Sequence, residues 1–429
     1  MVETIVHGVR SLFRSPFALD FLALLSSRSA AQALTLAVGL LLVRVMAEPV
    51  FGAYSLATTS VGLAGVVADF GFDIILTREI AADREFAAVL TRSASLLRLA
   101  LALLTTAALT VLALLTPNLG RPDLLLIGGL SLAPRGVMRA LTAALTGLGR
   151  VRQTAWIEGI AALASALATV ALVMPGFALL GDRAAAALWG LFVGSLVGLL
   201  AALRLTRFEE AASPNQAVSW GWLLYAALPF MIINLAGTAF QSLDIYVVKA
   251  FYWRAGAPDA VALYAAPFRI LNVLLLVPTA WGVVALPRYV GYVRRPEVAR
   301  RALRRDLGIG LLMGLGLSAS CTVLAQPLTM IALGPGYAPA APILAVVCWM
   351  TLPVCISAPY IALLTATGRQ ARIAGSVIMA GVLALAVNVL LAGTARRIMD
   401  NLMVVAAVKV VSMVILLIFY ALSLPRFRD

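Results

Sequence analysis

Between Ala260 and Pro287 this chain carries a single formal charge, Arg269. Eleven other stretches of comparable length are nearly as apolar. Hydrophobic residues make up 62% of the 429 residues and charged residues 12%, more apolar surface than a water-soluble core of this length can hide. The solvent for most of the chain is therefore a bilayer, whose hydrocarbon core is about 30 Å thick and takes roughly 20 apolar residues per helical crossing. Backbone groups in lipid must bond internally, so spans are helices or a closed barrel. Barrel strands alternate polar and apolar positions over about 10 residues. The continuous apolar runs here specify helices instead: an all-α, polytopic membrane protein.

Twelve spans are expected. Six lie near 27–45, 51–75, 87–115, 124–145, 154–173 and 184–205. Six more lie near 222–248, 261–286, 307–333, 342–364, 371–391 and 402–422. This divides the chain into an N-terminal six-helix lobe (1–206), a polar connector "RFEEAASPNQAVS" (207–219) and a C-terminal six-helix lobe (220–429). Ahead of the first span, Ile5, Val9, Leu12 and Phe13 share one face of a short amphipathic helix suited to the membrane surface. Asp20 and Arg28 interrupt the apolar patch that follows, so the start does not read as a cleavable signal.

Charge sets the orientation. Of the 33 Lys and Arg, only Arg44, Arg121, Arg183, Lys249, Arg254, Arg396 and Arg397 fall at the outer ends of spans. Six lie within spans, and all others lie at inner ends and loops. The positive-inside rule then places both termini in the cytoplasm. The densest block, "RYVGYVRRPEVARRALRRD" (288–306), suits an anionic lipid surface. The net charge of +14 follows this topology, which argues against nucleic-acid binding. No outer loop is long enough for an enzyme domain. There is no phosphate-binding glycine loop, and nothing calls for a cofactor. The single histidine, His7, and the three scattered cysteines offer no metal site within the membrane and no disulfide spacing.

A weak internal repeat accompanies the 6+6 count. "EPVFGAYSLATTSVGL" (48–63) aligns with "PDAVALYAAPFRILNV" (258–273), placing Tyr54 on Tyr264. Both copies have an acidic, proline-bearing turn followed by a small-residue helix start. Equal span numbers imply repeats of the same orientation, with a central cleft between lobes.

The segments 48–81 and 262–290, the latter with its tyrosine, arginine and closing proline, resemble the second- and eighth-span regions of bacterial polysaccharide flippases. That family belongs to the multidrug/oligosaccharidyl-lipid/polysaccharide exporter superfamily. The resemblance implies two six-helix lobes and alternating access. It implies a substrate, an undecaprenyl-diphosphate-linked oligosaccharide, that crosses the bacterial cytoplasmic membrane for surface polysaccharide synthesis. It also implies surrounding membrane lipid and polysaccharide synthesis proteins as partners, and a transporter rather than an enzyme. Lipid II flippases are similar but usually carry two further spans, so twelve spans point away from that branch.

An ionisable group at mid-membrane costs about 2.5–3.5 kcal/mol. Arg28, Arg98, Arg135, Arg139, Arg269 and Lys409 are in or near spans, so together they would cost about 15 kcal/mol facing lipid. Each must meet water, a carboxylate or a bound anion, and these six are the candidates for an anionic head group. Arginine's planar fork suits diphosphate oxygens. Gln32 follows Arg28 on one helix face, Asn234 and Gln241 form a second stripe, and Asn272 lies three residues beyond Arg269. These are candidate cavity-lining residues. Asp69, Glu158 and Asp244 are candidates for ion coupling, with Asp73 on the same helix face as Asp69. Bland alternatives stay open: Arg28, Arg98 and Arg269 can snorkel, Arg135 and Arg139 can pair with Glu158, and the acids Asp69, Asp73, Glu158 and Asp244 can simply salt-bridge to the arginines. Pro134, Pro229, Pro267, Pro278, Pro327 and Pro353 break backbone bonding within spans. Gly62, Gly65, Gly310, Gly314 and Gly316 permit close helix approach. A drug/cation antiporter is disfavoured because in-span bases outnumber acids. A polysaccharide polymerase or ligase lacks the long outer loop expected of it.

Overall fold

The computed structural model describes residues 16–116, 120–174, 181–206, 219–252, 259–292, 295–391 and 398–424. The amphipathic segment near the start and all of the connector but Ser219 lie outside the described residues. Every regular element described is helical. In chain order the α-helices, between which lie two short 3-10 helices (Pro335–Ala340 and Cys348–Met350), are α1 (Pro16–Val45), α2 (Glu48–Asp69), α3 (Phe72–Ala82), α4 (Ala87–Leu115), α5 (Pro122–Leu130), α6 (Leu132–Gly147), α7 (Val151–Val173), α8 (Arg183–Leu205) and α9 (Trp220–Tyr252). There follow α10 (Ala260–Ala265), α11 (Pro267–Leu274), α12 (Leu276–Tyr292), α13 (Pro296–Val323), α14 (Ala325–Ala332), α15 (Ala341–Val347), α16 (Thr351–Ala366), α17 (Gln370–Leu391) and α18 (Ile398–Leu422). Ten helical segments are long and apolar enough to cross a membrane. The pair Ala260–Leu274 and Leu276–Gly282, bent by 41°, makes an eleventh, and the shorter apolar helix Ala30–Val45 occupies the first expected position. The chain is a polytopic helical membrane protein of about twelve spans.

Several spans are built from two or more helices, and proline marks the joints. Pro267 is the first residue of α11; Pro134, Pro278, Pro327 and Pro353 each sit third in α6, α12, α14 and α16. The first four N–H groups of a helix have no intrahelical acceptor, so proline loses nothing there. Its ring still disfavours a helical residue just before it. These five prolines therefore stand where one helix has ended and the next begins. Pro229 differs, lying inside the continuous α9, as Pro359 does inside α16.

The chain forms two compact units. The first holds Met1–Val38 and Ser60–Asn234, the second Gly39–Thr59 and Leu235–Asp429. Their limits fall inside α1, α2 and α9 rather than at the connector. In the first unit, Phe72, Ile75, Leu76 and Ile80 of α3 pack on Leu90, Ala94 and Leu97 of α4, with Ala140, Ala143 and Ala144 of α6. Small residues let helices approach where lipid offers no hydrophobic contrast. The closest approach was not among those expected from the sequence. Gly190, Gly194 and Gly198 line one edge of α8, four residues apart. A Cβ on Gly190 would lie 2.5 Å from Thr169 Cα, and one on Gly194 2.5 Å from Ser165 Cα, both on α7. Of the glycines expected to allow close packing, Gly310 and Gly314 do so, each within 2.8 Å of α16 backbone if given a Cβ. Gly62 and Gly316 have open space around them.

In the second unit, Phe240 of α9 joins Leu364, Ala380, Leu416 and Tyr420 of α16, α17 and α18. Here the two copies of the repeat meet. A Cβ on Gly52 of α2 would sit 3.3 Å from Ala262 N of α10. Aligning Tyr54 with Tyr264 pairs these same two positions, so residues that the alignment makes equivalent approach each other.

Candidate functional site

The first unit carries a charge cluster built on a helix break. Phe70 (φ 50°) and Gly71 (φ 77°) both adopt left-handed backbone and separate α2 from α3. A side chain on Gly71 has no room, since its Cβ would lie 2.7 Å from Phe230 Cβ and 3.0 Å from Met231 N. The break corrects the expectation that Asp69 and Asp73 share one helix face: they end one helix and begin the next. Both nonetheless converge on Arg139 of α6. One guanidinium nitrogen bonds Asp69 Oδ2, and the other stands 3.0 Å from Asp73 Oδ2. The sequence offered Glu158 as the partner of Arg139; Asp69 and Asp73 make the close ion pairs, while Glu158, half-buried on α7, attracts Arg139 from farther away.

Arg98 of α4 completes the cluster. Its side chain has no exposure. It donates to Asp73 Oδ1 at 2.6 Å, Gly136 O at 3.3 Å and Asp69 O at 3.5 Å, and lies over the Phe72 ring. The expectation of Arg98 as a head-group ligand, and the alternative of snorkelling, both give way to this: it is an enclosed anchor for the acid pair. Arg139 differs, with 39% of its side chain exposed. Arg135, one turn earlier, is exposed and has no hydrogen bond or ion pair from its side chain among the described residues. Three guanidiniums gather around Asp69 and Asp73, with Glu158 adding a third, longer-range negative charge on Arg139, and Arg135 is the cation left exposed.

The second unit holds two further sites. Lys409 of α18 is 4% exposed and Asp244 of α9 6%. The ammonium donates to the carbonyls of Phe240 and Gln241, both at 2.8 Å, and to Asp244 Oδ1 at 3.3 Å. Tyr264 donates to Asp244 Oδ2 at 2.5 Å. An ammonium has three donors, and all three are spent. This corrects the reading of Lys409 as a head-group ligand: in this structure it is an internal tie. Tyr264 was visible in the sequence only as the tyrosine of the repeat; its task is to hold Asp244.

Arg269 of α11 is half-buried and pairs with no carboxylate among the described residues. Its stem passes Gly39 of α1, whose Cβ would lie 3.3 Å from Arg269 Cδ, and its guanidinium stands 5.8 Å from the Phe51 ring centre. A cation over an aromatic face is stabilised without being neutralised. Of the polar stripe residues, Gln32, Asn234 and Gln241 are exposed and Asn272 is half-buried. Arg28 lies on α1, with its side chain outside the described residues.

The bundle has about twelve spans, with Arg135 exposed and Arg139 and Arg269 half-buried within them. The profile of the polysaccharide biosynthesis protein family matches residues 18–292. The chain belongs to that family. Its fold is shared with solved transporters. An inward-facing multidrug resistance MATE family transporter of the MOP superfamily superposes with a TM-score of 0.71 at 13% identity, covering 91% of this chain and 94% of that one. The lipid II flippase MurJ, in an inward closed conformation, gives 0.70 at 12% identity, with 93% and 87% covered. A point mutant of the Vibrio cholerae MATE transporter VcmN gives 0.61 at 13%, with 96% and 97% covered. No curated protein matches at the level of sequence.

Proposed function

We propose that this protein is an alternating-access flippase that moves an undecaprenyl-diphosphate-linked oligosaccharide across the bacterial cytoplasmic membrane for surface polysaccharide synthesis, with both termini cytoplasmic. Family membership supports the pathway, and the fold supports transport. The observation that carries the substrate chemistry is Arg135: an exposed guanidinium that makes no ion pair among the described residues, beside Arg139, whose two terminal nitrogens meet Asp69 and Asp73. A diphosphate offers oxygens on two phosphorus centres, matching two planar donors one turn apart. Arg269 supplies an equally unneutralised cation in the second unit. Gln32, Asn234, Gln241 and Asn272 offer neutral hydrogen-bonding groups to sugar hydroxyls. Asp69, Glu158 and Asp244 are the groups through which an ion gradient would reset the carrier. Enzymes that build and polymerise the glycan are the expected partners.

A drug/cation site needs acid in excess. Here Asp69, Asp73 and Asp244 each already bind a base.

The test is transport of a fluorescent undecaprenyl-diphosphate-linked sugar in proteoliposomes. Each charge-assisted hydrogen bond lost at the head group removes about 1.5–3 kcal/mol, so Arg135→Ala and Arg139→Ala should weaken substrate binding roughly 10- to 150-fold. Normal export by both well-expressed variants would refute the assignment. Transport indifferent to ionophores would refute the coupling.

A further inference from the structure

The second unit contains a cavity of about 460 Å³ beside the Lys409–Asp244 pair, a size typical of small-molecule sites. Gly237, Phe240 and Gln241 of α9 form one wall. Pro278 and Gly282 of α12, Ser357, Ala358 and Ile361 of α16, and Met413 and Tyr420 of α18 form others. It exists because helices part there. Pro278 and Pro353 lie just past helix breaks, and Gly237 and Gly282 bring no side chain into the gap. A Cβ on Gly237 would meet nothing within 4 Å.

Two features define what the cavity accepts. No charged side chain lines it, so it cannot stabilise a phosphate, a carboxylate or an ammonium. Yet it is not purely apolar. Tyr420 is 4% exposed and Ser357 7%, and neither hydroxyl has a hydrogen-bond partner among the described residues. The Gln241 amide, also lining the space, is equally unpartnered, although its backbone carbonyl serves Lys409. These groups have no protein partner among the described residues and line the open space, so a ligand that brings its own neutral polar group can hydrogen-bond to them.

We infer that this cavity binds an uncharged amphiphile: an isoprenoid or acyl chain bearing a hydroxyl. The chain lies along the Gly282–Ala358–Met413 wall, and the hydroxyl pairs with Ser357 or Tyr420. The site differs in chemistry from the arginine cluster and takes the neutral class of lipid that the cluster does not.

The test uses the full-length protein in phosphatidylcholine nanodiscs with a diazirine-bearing geranylgeraniol as photoprobe. Label should fall on the peptides carrying Ser357 and Tyr420 and be displaced by excess unlabelled geranylgeraniol. Gly237→Leu, which grows into open space, should abolish that label. Val382→Leu, at an exposed position on α17, should leave it unchanged. Tyr420→Phe should weaken labelling while keeping the shape. Label spread over exposed helix surfaces without competition, or unaffected by Gly237→Leu, would overturn the inference. The flippase proposal is read separately: transport lost in Arg135→Ala with no competable pocket label leaves that proposal standing and this one refuted. A competable label in a protein without transport does the reverse.

Discussion

Removing the Lys409 ammonium should unlock the second unit. In Lys409→Met the carbonyls of Phe240 and Gln241 lose a donor at 2.8 Å, and Asp244, 6% exposed, keeps only Tyr264. Two effects compete in setting the magnitude. Neutral hydrogen bonds between membrane helices average about 0.6 kcal/mol, which would make the change mild. A buried charge stripped of its partner costs about 3–5 kcal/mol. Asp244 is enclosed, so the charge should decide, and Lys409→Met should destabilise by about 3–5 kcal/mol. Asp244→Asn strands the ammonium and should cost a similar amount. The double variant strands no charge and should lie well short of the sum, with a coupling of about 2 kcal/mol. Equilibrium unfolding in mixed micelles with increasing dodecyl sulfate measures all four proteins. Single variants within about 1 kcal/mol of the parent, or strictly additive losses, would refute the argument that an enclosed ion pair ties α9 to α18.

Gly71→Ala forces a left-handed backbone on a residue with a Cβ, costing about 1–2 kcal/mol, and adds the contact with Phe230 and Met231; the same unfolding assay should show a loss at or above that range. Gly194→Leu should part α7 from α8 through Ser165, lowering expression and thermal stability, whereas Gly316→Leu, with open space around it, should be tolerated in the same measurements. Arg98→Ala leaves Asp73 without its buried anchor; transport should fall together with stability, while Arg98→Lys, which keeps the charge, should restore part of both. Arg135→Ala should instead reduce transport with little change in stability, because that side chain makes no hydrogen bond or ion pair among the described residues.

The span ladder could be read from the sequence because apolar run length is a direct response to bilayer thickness. Misfit charges were equally visible, since each stands out against its run. Their pairings were not. Arg98, Arg135 and Lys409 look alike in sequence, each a cation within an apolar stretch. What separates them is distant: Asp73 lies across a break that only Phe70 and Gly71 create, and Asp244 lies 165 positions from Lys409. The 3.6-residue period placed Asp69 and Asp73 on one face because it assumes an unbroken helix. The close packing of Gly190, Gly194 and Gly198 was latent in the sequence as glycine at every fourth position, but spacing alone does not say which neighbouring helix approaches. Ser357 and Tyr420 gave no signal, because a cavity belongs to the space between helices rather than to any one of them.

The joints inside spans bear on how the chain enters the bilayer. α5 has nine residues, α11 eight and α14 eight, and at 1.5 Å per residue none reaches halfway across a 30 Å hydrocarbon layer. Such a piece cannot leave the translocon as a stable independent segment. It must wait for its neighbour, so α5 is committed to lipid together with α6, and α11 together with α12. The joints opening α6 and α12 are thus places where membrane insertion during synthesis proceeds in pairs.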